Sequence, residues 1–134
     1  MTRLVVTGAS GFIGRHVVQR ALDRGWQVTG LIRSNPMRPL PDLARPVVGA
    51  LEIATLIPLF RDADVVIHLA GTTRPISARE LERVHVRGSR EVATAARETG
   101  ARLVHVSSVE AVGASLTEYG VVSRLHEDDP PTPS

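Results

Sequence analysis

No lysine occurs among the 134 residues, so all 16 basic side chains are arginine. That absence excludes chemistry needing a side-chain amine: a Schiff base, a P-loop lysine on phosphates, or a lysine that lowers a tyrosine's pKa. Cysteine is absent too, which excludes disulfides and thiolate metal sites and fits a reducing compartment. Aromatic residues make up 3% of the chain, leaving Trp26, Tyr119, Phe12 and Phe60 to stack on bases. The arginines are scattered from Arg3 to Arg124 and the net charge is only +2, so the pI near 10.3 reflects arginine basicity and no nucleic-acid partner is expected. The longest apolar runs are strand-sized, too short to cross a bilayer, and no membrane partner is expected. Met1-Thr2-Arg3-Leu4-Val5-Val6 shows no apolar leader and cleavage site, so a cytoplasmic location is the expectation.

What is present describes a globular domain. Hydrophobic residues are 43% and charged residues 22% of the chain, with mean hydropathy +0.03. Short β-branched runs alternate with helical segments, the pattern of βαβ units around a parallel sheet. Strands are predicted at Leu4 to Thr7, Gln27 to Ile32, Pro46 to Ala50, Asp64 to Leu69 and Arg102 to Val106. Runs such as Val65-Val66-Ile67 are apolar on both faces, as a strand covered by helices above and below must be.

The first helix is read from Ile13, Val17 and Ala21 recurring every four residues, with Gly25 as its stop. Pro58 makes the segment Leu51 to Arg61 a short or kinked helix. The longest helix is expected from about Ala78 to Glu98, with Leu81, Val84, Gly88, Val92, Ala95 and Thr99 on one face and Gly88 closing on the sheet. The expected fold is therefore α/β, a doubly wound parallel sheet of about five strands in the order 3-2-1-4-5 with helices on both faces. Residues 1–113 are expected to form this Rossmann-like domain and 114–134 a loop or tail.

Thr7-Gly8-Ala9-Ser10-Gly11-Phe12-Ile13-Gly14 follows a predicted strand and opens a predicted helix. Glycine is needed there for a tight turn, for close approach of backbone to a pyrophosphate, and for close packing of helix on strand. Gly8, Gly11 and Gly14 match those roles in order, with Ser10 inside the loop. The amides of Phe12 and Ile13 then lie at a helix N-terminus, where unpaired N–H groups attract a diphosphate. No Gly-Lys-Ser/Thr follows, which excludes a kinase-type phosphate loop.

This glycine loop, together with Asp64-Val65-Val66-Ile67-His68-Leu69-Ala70, Val84-His85-Val86-Arg87-Gly88-Ser89, His105-Val106-Ser107-Ser108 and Ala111-Val112-Gly113, resembles the extended short-chain dehydrogenase/reductase superfamily, in particular its NAD-dependent epimerase/dehydratase group. The resemblance covers essentially the whole chain and implies a Rossmann-like fold with an incomplete second half. It implies that Arg33 and Ser34, with Arg38, meet the 2′-phosphate of NADP, which is favoured over NAD. It implies that Leu69, Ala70 and Gly71 let the cofactor lie against backbone. Ala50 stands where the family often has an adenine-binding aspartate. His85 takes the place of a family asparagine and is expected to be a partly buried structural histidine. Ser108 matches the catalytic serine, which bonds the substrate oxygen at the reacting carbon. No metal site is expected from His16, His68, His105 and His126.

The family's Tyr-x-x-x-Lys pair has no counterpart. Tyr119 is the only tyrosine, Ser123 stands four residues later, and Arg124 is too basic to shuttle protons. The tail Glu127-Asp128-Asp129-Pro130-Pro131-Thr132-Pro133-Ser134 resembles the stretch just before that pair. The expectation is thus the cofactor-binding portion of an epimerase, dehydratase or reductase that acts by hydride transfer on a nucleotide sugar or carbonyl compound, shortened before its catalytic helix and substrate domain and inactive alone. The alternative is a catalytically silent dinucleotide-binding sensor or scaffold. An apolar, unpaired edge on the fifth strand is expected to favour self-association into a homo-oligomer.

Overall fold

A computed structural model describes residues 1–36, 38–108 and 127–128. The expectations for Ala111-Val112-Gly113, for Tyr119 and for the greater part of the 114–134 tail lie outside the described residues. Five parallel strands form one sheet in the order β3-β2-β1-β4-β5. These are β1 Arg3–Thr7, β2 Gln27–Ile32, β3 Arg45–Val48, β4 Val65–His68 and β5 Arg102–His105. The helices are α1 Phe12–Leu22, α2 Ile53–Phe60, α3 Ala78–Leu81, a π-helical segment Glu82–Arg87, and α4 Gly88–Thr99. The Rossmann-like order read from the sequence is the one observed, with strand ends shifted by a residue or two. The largest shift is at β3, which starts at Arg45 and stops before Gly49.

Alternation along β1 splits the core into two layers. Val5 faces α2 and α4, joining Leu31, Leu56, Phe60, Val66, Val92, Ala95 and Ala96. Leu4 and Val6 face α1, joining Ala9, Val18, Ala21 and Val28. Helices therefore cover both faces, and burying nine residues in one cluster and seven in the other is what holds β1 between β2 and β4. Pro58 sits inside α2, which stays at eight residues.

Three packing expectations are corrected. The buried stripe of α1 is Gly14, Val18 and Ala21, while Ile13 is 56% exposed, because its place in the first turn points it past the sheet's end. The long helix is not uniform: α3 and the π-helical segment bury no residue, and the apolar face begins only at Gly88. Gly88 itself closes on the Leu51 side chain, 2.7 Å from where a Cβ would stand, and not on the sheet. Among the described residues β5 pairs only with β4, and Val104 and the following Val106 are exposed.

Candidate functional site

The carboxyl ends of the strands line up, with Thr7 beside Leu31 on one side and His68 on the other, and His68 beside His105. The loop leaving β1 is closed by its own backbone. Gly8 has φ +71, and a Cβ there would lie 2.7 Å from the Ala70 amide nitrogen. A Cβ on Gly14 would collide with the Gly8 carbonyl oxygen and come within 2.9 Å of Ala9 Cα. Gly11 N–H donates to the Gly8 carbonyl at 3.0 Å, and Gly11 then enters α1 as an N-cap that has no side-chain bond to the helix.

The first-turn amides of α1 lack intrahelical partners and sit at the positive end of the helix dipole. Glycine at 8, 11 and 14 lets the loop's backbone pack directly on Ala70, Gly8 and Ala9, which fixes where those amides stand. Such a donor set fits the pyrophosphate of a dinucleotide, and Ser10, Phe12 and Ile13 lie on the same loop and first turn. Leu69 and Ala70 form the opposite wall, because Leu69 N–H donates to the Thr7 carbonyl and Ala70 N–H to Thr7 Oγ1 at 3.3 Å.

A polar chain that sequence reasoning did not foresee runs beneath this wall. Thr7 and His68 are fully buried, with Thr7 Oγ1 and His68 Nδ1 2.6 Å apart and His68 Nε2 3.1 Å from Ser89 Oγ. Burial lowers the His68 pKa from 6.5 to about 4, with the nearby His105 and His85 adding to it. The imidazole is therefore neutral near pH 7. Thr7 Oγ1 accepts from Ala70 N–H and bonds His68 Nδ1, while Ser89 Oγ bonds Nε2, so either neutral tautomer keeps both ring nitrogens partnered by a hydroxyl. Only the alternation of β4, which turns His68 inward two residues after Val66, signalled this in the sequence.

The other expected residues are exposed. Arg33, Ser34 and Arg38 are exposed on the segment that leaves β2, and Ala50 is exposed after β3. Ser108 is exposed three residues beyond the end of β5. His85 is exposed and not partly buried, with Nε2 within 3.1 Å of the Thr72 amide and 3.0 Å of its carbonyl. Its helical segment rides above the protein's surface, so the ring reaches a backbone turn and not the core. A surface cavity of about 360 Å3 lined by Arg3, Arg45, Asp62 and others lies at the amino ends of the strands, away from this crevice.

The pattern of the NAD dependent epimerase/dehydratase family matches residues 4–133. Ceramide reductase of Caulobacter vibrioides is 38% identical over 129 residues, a match covering 93% of this chain and 40% of that protein. Human 3 beta-hydroxysteroid dehydrogenase type 7 is 33% identical over 143 residues, covering 94% of this chain and 37% of the relative. Among solved structures, MoeE5 in complex with UDP-glucuronic acid and NAD superposes with a TM-score of 0.81 at 31% identity, covering 98% of this chain and 43% of that one. The chain thus spans about 40% of the length of the relatives it matches.

Proposed function

This chain belongs to the NAD-dependent epimerase/dehydratase family, and from that premise we propose that its glycine loop holds a nicotinamide dinucleotide for hydride transfer at a carbonyl carbon. The observation that carries the reading is the cradle itself. Three glycines let the loop's backbone close tightly on itself and on Ala70, and α1 opens without a side-chain cap on its amides, an arrangement that supports phosphate binding there. The cofactor supplies the hydride when bound. The chain's residues do the rest: the α1 amides neutralise the diphosphate, Leu69, Ala70 and Gly71 form its wall, and Ser108 donates a hydrogen bond to the substrate oxygen.

Arg33 and Ser34 are exposed on the segment leaving β2, and a guanidinium fork beside a hydroxyl there supports NADP over NAD. Calorimetric titration with both cofactors tests this, and tighter NAD binding overturns the preference. Arg33→Ala is expected to weaken NADP binding about tenfold while leaving NAD within twofold.

Within the family's range of nucleotide sugars and carbonyl compounds, we favour a carbonyl compound with an apolar body. Two relatives, at 38% and 33% identity, are named for a ceramide and a steroid, whereas the structural neighbour holding UDP-glucuronic acid is 31% identical. The segments leaving β1 and β4 also carry Phe12 and Ile76, 83% and 93% exposed. Oxidation state is read at 340 nm with long-chain ketones and with UDP-sugars, using a preparation that also supplies a tyrosine and lysine pair. Turnover of UDP-sugars alone would overturn the apolar reading. The 134-residue chain by itself, lacking lysine, is expected to bind cofactor without turnover. If a chain extended by a Tyr-x-x-x-Lys helix also binds without turnover, the silent binding module is the better reading.

A further inference from the structure

We propose that His85 is a positioning residue that braces the backbone turn Gly71-Thr72 against the cofactor crevice, its imidazole lying where a side chain at position 71 would stand. The inference rests on the dinucleotide reading of the crevice for its effect on affinity, but not for the brace itself.

Three observations converge on this turn. His85 Nε2 lies 3.1 Å from the Thr72 amide nitrogen and 3.0 Å from the Thr72 carbonyl oxygen. A Cβ on Gly71 would stand 2.9 Å from His85 Cε1, with both ring nitrogens at 3.7 Å. One residue earlier, Ala70 N–H is already tied to the buried Thr7 hydroxyl. The stretch from Ala70 to Thr72 is thus pinned from the sheet by Thr7 and from the helix by His85. Ser89, one turn beyond His85, reaches the same Thr7 through His68.

The chemistry of the ring suits a brace. With its proton on Nδ1, Nε2 accepts from Thr72 N–H; with the proton on Nε2, it donates to the Thr72 carbonyl. Either neutral tautomer keeps one bond, so exchange between them does not release the turn. His85 lies inside the π-helical segment Glu82–Arg87, where the Gly88 N–H reaches back to the Arg83 carbonyl. Such wide turns commonly mark places where a helix is fitted to a function. Here the segment buries none of its own residues, so core packing does not explain its geometry.

The test is a double-mutant cycle on the 134-residue chain with His85→Ala, His85→Gln, Gly71→Ala and the pair Gly71→Ala/His85→Ala. Two readouts are taken: calorimetric affinity for NADP and NAD, and hydrogen exchange at the Thr72 amide without ligand. His85→Ala is expected to speed Thr72 exchange and weaken cofactor binding up to about tenfold, with the unfolding midpoint nearly unchanged. His85→Gln, whose amide reaches as far as Nε2, is expected to restore both. Gly71→Ala should weaken binding in the native background and add little once His85 is alanine, because the crowding partner is gone. Unchanged Thr72 exchange in His85→Ala, or effects of the two substitutions that simply multiply, would overturn the brace. If the unmodified chain binds neither cofactor, the dinucleotide reading falls and the exchange measurements alone decide the brace.

Discussion

The two walls of the crevice are built by different means. On the β1 side, the loop from Gly8 to Gly14 is shaped by backbone touching backbone, and every close contact is an atom-to-atom exclusion. On the β4 side, the turn from Leu69 to Thr72 is held by side chains arriving from elsewhere: Thr7 from β1, His85 from the π-helical segment, and Ser89 through His68. The first wall has one solution, dictated by the size of hydrogen. The second has adjustable parts, whose strength depends on protonation and on helices that stand partly in water.

The largest expected effect should come from breaking the rigid wall. Gly8→Ala combines a positive φ with a methyl 2.7 Å from the Ala70 amide, and should destabilise by about 3 kcal/mol in urea unfolding. Gly25→Ala, with φ +74 and nothing within 4 Å, should lose only about 1 kcal/mol. The difference between the two isolates crowding from conformation, and equal losses would show that the wall is not close-packed.

Next comes the adjustable wall's dependence on pH. His68 is protonated in the unfolded chain near pH 6.5 but, in the fold, only near pH 4. Between those values the unfolded state holds more protons, so stability is full above pH 6.5 and falls as pH drops towards 4, by at most about 3 kcal/mol. Urea titrations at pH 7.5, 5.5 and 4.5 measure this, with His68→Asn expected to flatten the slope. A native protein as steep as the variant would remove His68 from the account. Ser89→Ala, which leaves the buried His68 Nε2 without its hydroxyl partner, should cost about 1–2 kcal/mol at pH 7. The smallest effects belong to the segment above the wall: Ile76→Ser, at a position 93% exposed, should stay within about 0.5 kcal/mol of the parent.

The same contrast governs how much could be read from the sequence. Gly8, Gly11 and Gly14 were legible because a steric requirement leaves a residue type and a spacing as its trace. The strand order was legible because β-branched runs alternate with helical periods. His68 was not, since a histidine's partners across 61 residues and on another helix leave no mark in local spacing. Ile13 misled because first-turn apolar residues share the period of the core stripe without sharing its direction. The switch from α to π winding at Glu82 was hidden for the same reason: Leu81 and Val84 fit a continuous helical face that the wider turns then rotate away from the core.

The central position of β1 has a consequence for how the molecule is assembled in time. Arg3 donates its backbone N–H to Asp64 across 61 residues, and the strand nearest the N-terminus acquires its second neighbour only when β4 exists. The β1-α1-β2 unit closes a much shorter span, and each doubling of span adds only about 0.6 kcal/mol of closure entropy. A chain emerging from the ribosome can therefore pair β1 with β2 early, yet it carries an unpaired flank on its innermost strand until residue 68 is available. The strand that ends as the best protected in the sheet is the one longest at risk of wrong partners during synthesis.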